Sequence, residues 1–161
     1  MQKITPHLWF DKQAEEAANF YVSIFKNSKI NEVSHYGEEG FEIHQMPAGT
    51  AMTVAFQLGD QDFFALNGGP LFKFNESISF MVNCEDQAEV DYYWKKLSAD
   101  PKAEQCGWLK DKYGLSWQII PRQLEELLRD PDTEKAGRVM NAMLQMKKID
   151  IAGLQKAYDG K

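Results

Sequence analysis

Three histidines, two cysteines and four tryptophans carry the most distinctive side-chain chemistry in this sequence. His7 stands in the apolar run Ile4-Thr5-Pro6-His7-Leu8-Trp9-Phe10, whereas His35 and His44 flank the turn Gly37–Gly40. A protein-bound zinc or iron needs three or four imidazole, thiolate or carboxylate donors at suitable spacing. The chain has no HxH, HxxxH or HExxH pattern and no EF-hand loop, so its spacing predicts no metal centre. His35 and His44 read as solvated residues of a surface hairpin, and His7 as a core or pocket histidine. Cys84 and Cys106 form no CxxC pair and read as reduced thiols, either inert or redox-active. Cys106 becomes a nucleophile only if folding brings a histidine to it. The glycines are scattered and none makes a loop between a strand and a helix, so no phosphate, dinucleotide or S-adenosylmethionine fingerprint is present. There is no GxSxG elbow either. The aromatics are the positive signal. Trp9, Trp108 and Trp117 fall on expected strands and Trp94 on a helix. An indole at a strand end either fills the core or lines a ligand pocket.

The elements that must position these groups follow from periodicity. Lys3 to Phe10 reads as a strand, with Asp11 able to cap the helix whose apolar positions run from Ala14 to Phe25, ending near Asn27. Ile30 to Tyr36 is a second strand and Phe41 to Gly49 an excursion loop. Thr50 to Leu58 alternates Met52, Val54, Phe56 and Leu58 against Thr53, Ala55 and Gln57, as a half-buried strand must. Gly59-Asp60 turns the chain into the strand Gln61 to Asn67, and Gly68-Gly69-Pro70 breaks it. The pattern then restarts: a strand Glu76 to Asn83, a capping box of Asp86 and Glu89, and a helix with the stripe Val90, Tyr93, Trp94 and Leu97. A short strand near Ala103 to Trp108, a turn at Tyr113-Gly114 and a strand Leu115 to Ile120 follow. Asp11-Lys12-Gln13-Ala14-Glu15 reappears as Glu85-Asp86-Gln87-Ala88-Glu89 at the same strand–helix junction, which indicates an internal duplication. Beyond Pro121 the chain reads as helical: Leu124 to Leu128, then a helix to about Met146 opened by Asp130 with Pro131 at its first position, then one capped by Asp150. The stripe Ala136, Val139, Met140, Met143 and Leu144 must pack on a core, a second subunit or a partner.

The 161 residues suit one domain, and 43% apolar with 26% charged residues suit a folded globule. A net charge of −6 excludes a basic nucleic-acid surface and leaves a cationic ligand or partner open. No stretch approaches the ~20 apolar residues of a membrane span, so no membrane partner is expected. Residues 1–6 carry no signal-peptide pattern, which points to the cytoplasm.

Ile4-Thr5-Pro6-His7-Leu8-Trp9-Phe10-Asp11, Ala14-Glu15-Glu16-Ala17 and Phe20-Tyr21 resemble the opening of the vicinal-oxygen-chelate superfamily. The run from Cys106-Gly107-Trp108 to Ile119-Ile120-Pro121 resembles its PhnB-like, 3-demethylubiquinone methyltransferase-like branch, and Asp130-Pro131-Asp132 with Arg138-Val139-Met140 resembles that branch's helical tail. The resemblance implies an α+β fold of two βαβββ modules, residues 1–69 and 76–121, forming a curved mixed-sheet half-barrel with a C-terminal helical tail, 122–161. This is the fold of glyoxalases, bleomycin-resistance proteins and dihydroxybiphenyl dioxygenases, and members are commonly homodimers. Metal-using relatives carry ligands on the first, fourth, fifth and eighth strands. The matching inward positions here are Thr5 and His7, Ala65 and Asn67, Ser77 and Ser79, and Gln118. That set holds one imidazole and no carboxylate, so no metal or other cofactor is expected. The candidate ligand-binding residues are therefore Thr5, His7, Trp9, Asn67, Ser77, Ser79, Cys106, Trp108 and Gln118. Such a set suits a small neutral or cationic polar organic molecule, held by hydrogen bonds and stacking. Two alternatives stay open: an enzyme of the same fold (a methyltransferase, or a metal-dependent lyase, isomerase or dioxygenase), and an interaction module built on the Met-rich tail.

Overall fold

The fold is that of a computed structural model and is described for residues 3–161. Met1 and Gln2, the first two residues of the expected module 1–69, lie outside the described residues. The chain divides into two compact units, Met1–Phe74 and Asn75–Lys161, so the helical tail belongs to the second.

The first unit holds β1 (His7–Phe10), α1 (Ala14–Ile24), β2 (Lys29–His35), α2 (Phe41–His44), β3 (Ala51–Leu58) and β4 (Gln61–Asn67). The sheet order is β1-β4-β3-β2, with β1 parallel to β4 and the other pairs antiparallel. Leu8 and Phe10, Val54 and Phe56, and Phe63, Ala65 and Asn67 are buried on one face. There α1 lays down Ala14, Ala17, Ala18, Tyr21 and Ile24. Three alanines bring the helix axis close to the sheet, and Tyr21 stacks on Phe56 with centroids 6.3 Å apart.

Several boundaries differ from expectation for local reasons. β1 begins at His7 rather than Lys3, because Pro6 has no N–H to donate; its carbonyl still accepts from the Phe64 amide at 3.0 Å. Helix α1 stops at Ile24, and Asn27 turns the chain with φ 54°. Asp11 does not cap α1. The N-cap is Gln13, without a side-chain bond, and the Ala14 amide donates to Asn67 Oδ1 of β4 at 2.8 Å. The excursion 41–49 contains α2. Its His44 is half-buried rather than freely solvated: the ring packs on Tyr36 at 4.4 Å, Nδ1 accepts from the Met46 amide, and Nε2 meets the Glu39 carbonyl.

The second unit holds β5 (Ser79–Cys84), α3 (Gln87–Leu97), β6 (Trp108–Lys110), β7 (Ser116–Pro121), α4 (Arg122–Leu128), α5 (Thr133–Leu144) and α6 (Ile151–Tyr158). Its sheet has the order β5-β7-β6, three strands where the first unit has four. The architecture is thus α+β with two mixed, open sheets, of four and three strands, and a helical tail. Asp86 accepts from the Glu89 amide as expected, while Glu89 Oε2 reaches one residue further back, to the Glu85 amide. Strand β6 starts at Trp108 rather than Ala103. Cys106 and Gly107 have φ of 50° and 85°, and their amides donate to Met146 O and Lys147 O of the tail instead of to a strand.

The tail packs on the end of β7. Ile120, Leu124, Val139, Ile149 and Leu154 form one buried cluster, with Met143 and Met146 against it. Of the α5 stripe, Val139 and Met143 take part; Met140 and Leu144 are exposed. Helix α5 is capped by Asp132 rather than Asp130, Asp132 accepting from the Glu134 and Lys135 amides. Asp130 instead accepts from the Asp132 amide and from the Tyr158 hydroxyl at 2.6 Å, tying α6 back to the loop. Among the described residues no helix is long and apolar enough to cross a membrane.

Candidate functional site

Alternation gives each sheet one face toward its helix and one face free of it. In the second unit Cys84, Leu109, Trp117 and Ile119 are buried, and the first of these lies beside Glu89 and Tyr93 of α3. The opposite face carries Ser79, Met81 and Asn83 of β5, Ser116, Gln118 and Ile120 of β7, and Trp108 and Lys110 of β6. The register sets these in rows. Ser79, Ser116 and Lys110 cross the three strands side by side, and Met81, Gln118 and Trp108 form the next row. Gln118 Nε2 donates to Ser79 Oγ at 2.8 Å. Lys110 pairs with Glu76 from the segment leading into β5, and that contact holds the Glu76 carboxyl below the usual carboxylate range. At the far end of this face Ile120 is covered by the tail.

In the first unit the free face carries His7 and Trp9 of β1, Phe64 and Leu66 of β4, and Thr53 of β3, in register. His7 lies over Phe64 with centroids 5.8 Å apart. Trp9 is pinned. Its Nε1 donates to Gly69 O at 2.9 Å, Phe72 meets it edge-on at 5.0 Å, and a Cβ at Gly68 would come within 2.3 Å of the indole. Ser34 and Thr53 exchange a hydroxyl hydrogen bond of 2.6 Å on the same sheet. This is a stacking wall with one imidazole.

The nine candidate residues therefore divide. His7 and Trp9 share one free face; Ser79, Trp108 and Gln118 share the other. Thr5 precedes β1, and Ser77 precedes β5 in a turn where it bonds Asn75. Cys106 sits in the left-handed turn before β6, held to the tail. Ala65 and Asn67 point to the helix side rather than inward, and both polar groups of Asn67 are used, Oδ1 by Ala14 N and Nδ2 on Ala51 O. The inward residues of β4 are Phe64 and Leu66. Ser116 and Lys110 went unnoticed in the sequence, although stepping by two from Gln118 and Trp108 reaches them.

A family model described as 3-demethylubiquinone-9 3-methyltransferase matches residues 2–120. The chain belongs to that family. Within the vicinal-oxygen-chelate superfamily this is the PhnB-like branch. The PhnB protein from Bacillus cereus is 36% identical over 74% of this chain and 99% of its own, with a TM-score of 0.62. Protein PA1353 from Pseudomonas aeruginosa shares the fold, at 17% identity over 75% of this chain and 98% of its own, TM-score 0.51. No curated protein matches. The family match stops at the end of β7, so the tail segments around Asp130 and Arg138 lie beyond it.

Neither cofactor that the family and superfamily suggest fits the residues present. At the strand positions where metal-using relatives hold their ligands, this family member offers His7, Phe64 and Leu66, Ser79 and Met81, and Ser116 and Gln118. One imidazole among hydroxyls, an amide and hydrocarbons is a poor donor set for a divalent transition metal. Nor do His, Cys, Asp or Glu gather in threes among the described residues. The strand-to-helix joins, 11–13 and 85–86, contain no glycine for a nucleotide-type methyl donor. The two thiols of this family member differ. Burial, and then Glu89 and Asp86, push Cys84 up to about 12, whereas Cys106 is half-exposed. The thiolate is the nucleophile, so iodoacetamide at pH 8 is expected to alkylate Cys106 and leave Cys84 intact, as peptide mass mapping would show. Equal labelling of the native protein would contradict this.

Proposed function

We propose that this chain is a metal-independent small-molecule-binding protein of the PhnB-like branch. A polar organic ligand lies on the helix-free face of the second unit's sheet, held by hydrogen bonds and stacking. The observation that carries the reading is the Gln118–Ser79 bond of 2.8 Å. Where metal-using relatives place a carboxylate, β7 has a neutral amide already committed to a neutral hydroxyl. Such a pair recognises donors and acceptors and coordinates metal poorly. Trp108 beside it supplies a flat apolar surface. We also infer a cytoplasmic homodimer, a state that the superfamily commonly adopts; two free cysteines suit a reducing compartment.

The test is metal analysis of protein purified without chelators, together with a thermal-shift screen of polar organic compounds. A true ligand at a hundred times its Kd adds about 2.7 kcal/mol, roughly 5–10 °C in Tm for a chain of this size. Stabilisation by such a compound at substoichiometric metal supports the reading. Stoichiometric zinc, nickel or iron retained through purification overturns it.

A further inference from the structure

We propose that the row Ser79, Ser116 and Lys110 anchors a carboxylate on the ligand, whose ring then lies over Trp108 and Met81; this rests on the small-molecule reading above. The decisive group is Ser116. It is 1% exposed, yet its Oγ has no hydrogen-bond partner. Native proteins rarely leave a buried hydroxyl unpaired, because its lost hydration is not repaid. Its register neighbours are donors: Ser79 on one side and Lys110 on the other. Ser79 Oγ accepts from Gln118, which leaves its own proton to give. Lys110 has three N–H donors, and its pairing with Glu76 does not require them all. Two hydroxyls and one ammonium thus face a common acceptor.

Charge selects the acceptor. The row carries a single positive charge, already shared with Glu76, in a chain of net charge −6. A monoanionic carboxylate with two oxygens matches three donors and one cation. Beside the Lys110–Glu76 pair a monoanion adds one net negative charge and a phosphoryl dianion two, so the dianion is the more strongly repelled. The next row defines the rest of the ligand. Met81, 49% exposed, and Trp108 flank Gln118, an apolar platform for an aromatic ring with one amide between them. Glu76 then acts as a tethered competitor for Lys110.

Benzoate, benzamide and inorganic phosphate, titrated calorimetrically into the full chain, provide the test. Benzoate is expected to bind, phosphate to compete poorly, and Lys110→Met to weaken benzoate at least tenfold. Glu76→Gln, an exposed change that the fold tolerates, is expected to tighten benzoate several-fold. Ser116→Ala has a signature that a purely structural serine would not show: unchanged or higher Tm without ligand, together with roughly tenfold weaker benzoate binding. Benzoate affinity unchanged by Lys110→Met and Glu76→Gln would overturn the anchor, as would phosphate displacing benzoate at equal concentration. Benzamide binding as tightly as benzoate would remove the anchor and leave the small-molecule reading standing. If neither compound binds, the anchor falls, and the thermal-shift screen above judges the wider reading separately.

Discussion

Replacing Asp111 by alanine is expected to lower the unfolding free energy by about 3–5 kcal/mol, the largest loss for any single polar side chain in the second unit. Asp111 is 3% exposed and closes the β6–β7 connection. Its Oδ1 accepts from the Tyr113 amide at 2.9 Å and the Leu115 amide at 3.0 Å, and its Oδ2 from Trp117 Nε1 at 2.9 Å. Truncation removes an acceptor from all three donors at once, and bonds to a charged acceptor are worth about 1.5–3 kcal/mol each before compensation by water. Asn is no remedy, since its NH2 would face donors. The consequence reaches the candidate site, because Trp117 precedes Gln118 and lies on the opposite face of β7. Urea denaturation reads the effect directly; a loss below about 1 kcal/mol would show that the turn holds without its carboxylate.

Gly107→Ala is expected to cost about 2–4 kcal/mol and to loosen the tail specifically. The residue has φ 85°, where an L side chain is strained. Its new Cβ would stand 2.8 Å from Ile120 Cδ1, 3.1 Å from Ile119 O and 3.2 Å from Ile149 Cγ1. The first atom can swing away; the backbone oxygen cannot. Gly114 is the control, with φ also 85° but nothing within 4 Å of a Cβ. Gly114→Ala should therefore cost only the backbone strain, about 1 kcal/mol. Hydrogen exchange would localise the difference. In Gly107→Ala the amides of Cys106 and Gly107, which donate to Met146 O and Lys147 O, should lose protection first. Equal losses in the two variants would mean that contact with Ile120 and Ile149 contributes nothing.

Much of this protein is legible as a string of letters. Periods of two and 3.6 place both strand–helix–strand modules, and the spacing of Val54 and Phe56 or of Ala14, Ala17, Ala18 and Tyr21 marks the sides that become buried. The run from Cys106 to Pro121 identifies the family. Cap chemistry at Asp86 and Asp150 is local, and both act as expected. Where a local cue had a rival two residues away, as with Asp130 and Asp132, sequence alone chose wrongly. The carboxylate that Tyr158 claims across the tail could not be read from its neighbours.

The candidate site shows the same division. Sequence establishes that Ala65 and Asn67 share one face of β4, and Phe64 and Leu66 the other, because alternation is a property of the extended backbone. It does not say which face the helix will cover. That was decided in three dimensions, where the Ala14 amide at the start of α1 needed an acceptor and Asn67 Oδ1 lay within 2.8 Å. On β7 the same step of two joins Gln118 to Ser116, but only packing buries the Ser116 hydroxyl without a partner and sets Lys110 beside it. Residue types and their period are written in the chain. Burial and pairing between distant strands are collective, and they make one of two equivalent faces core and leave the other as the candidate site.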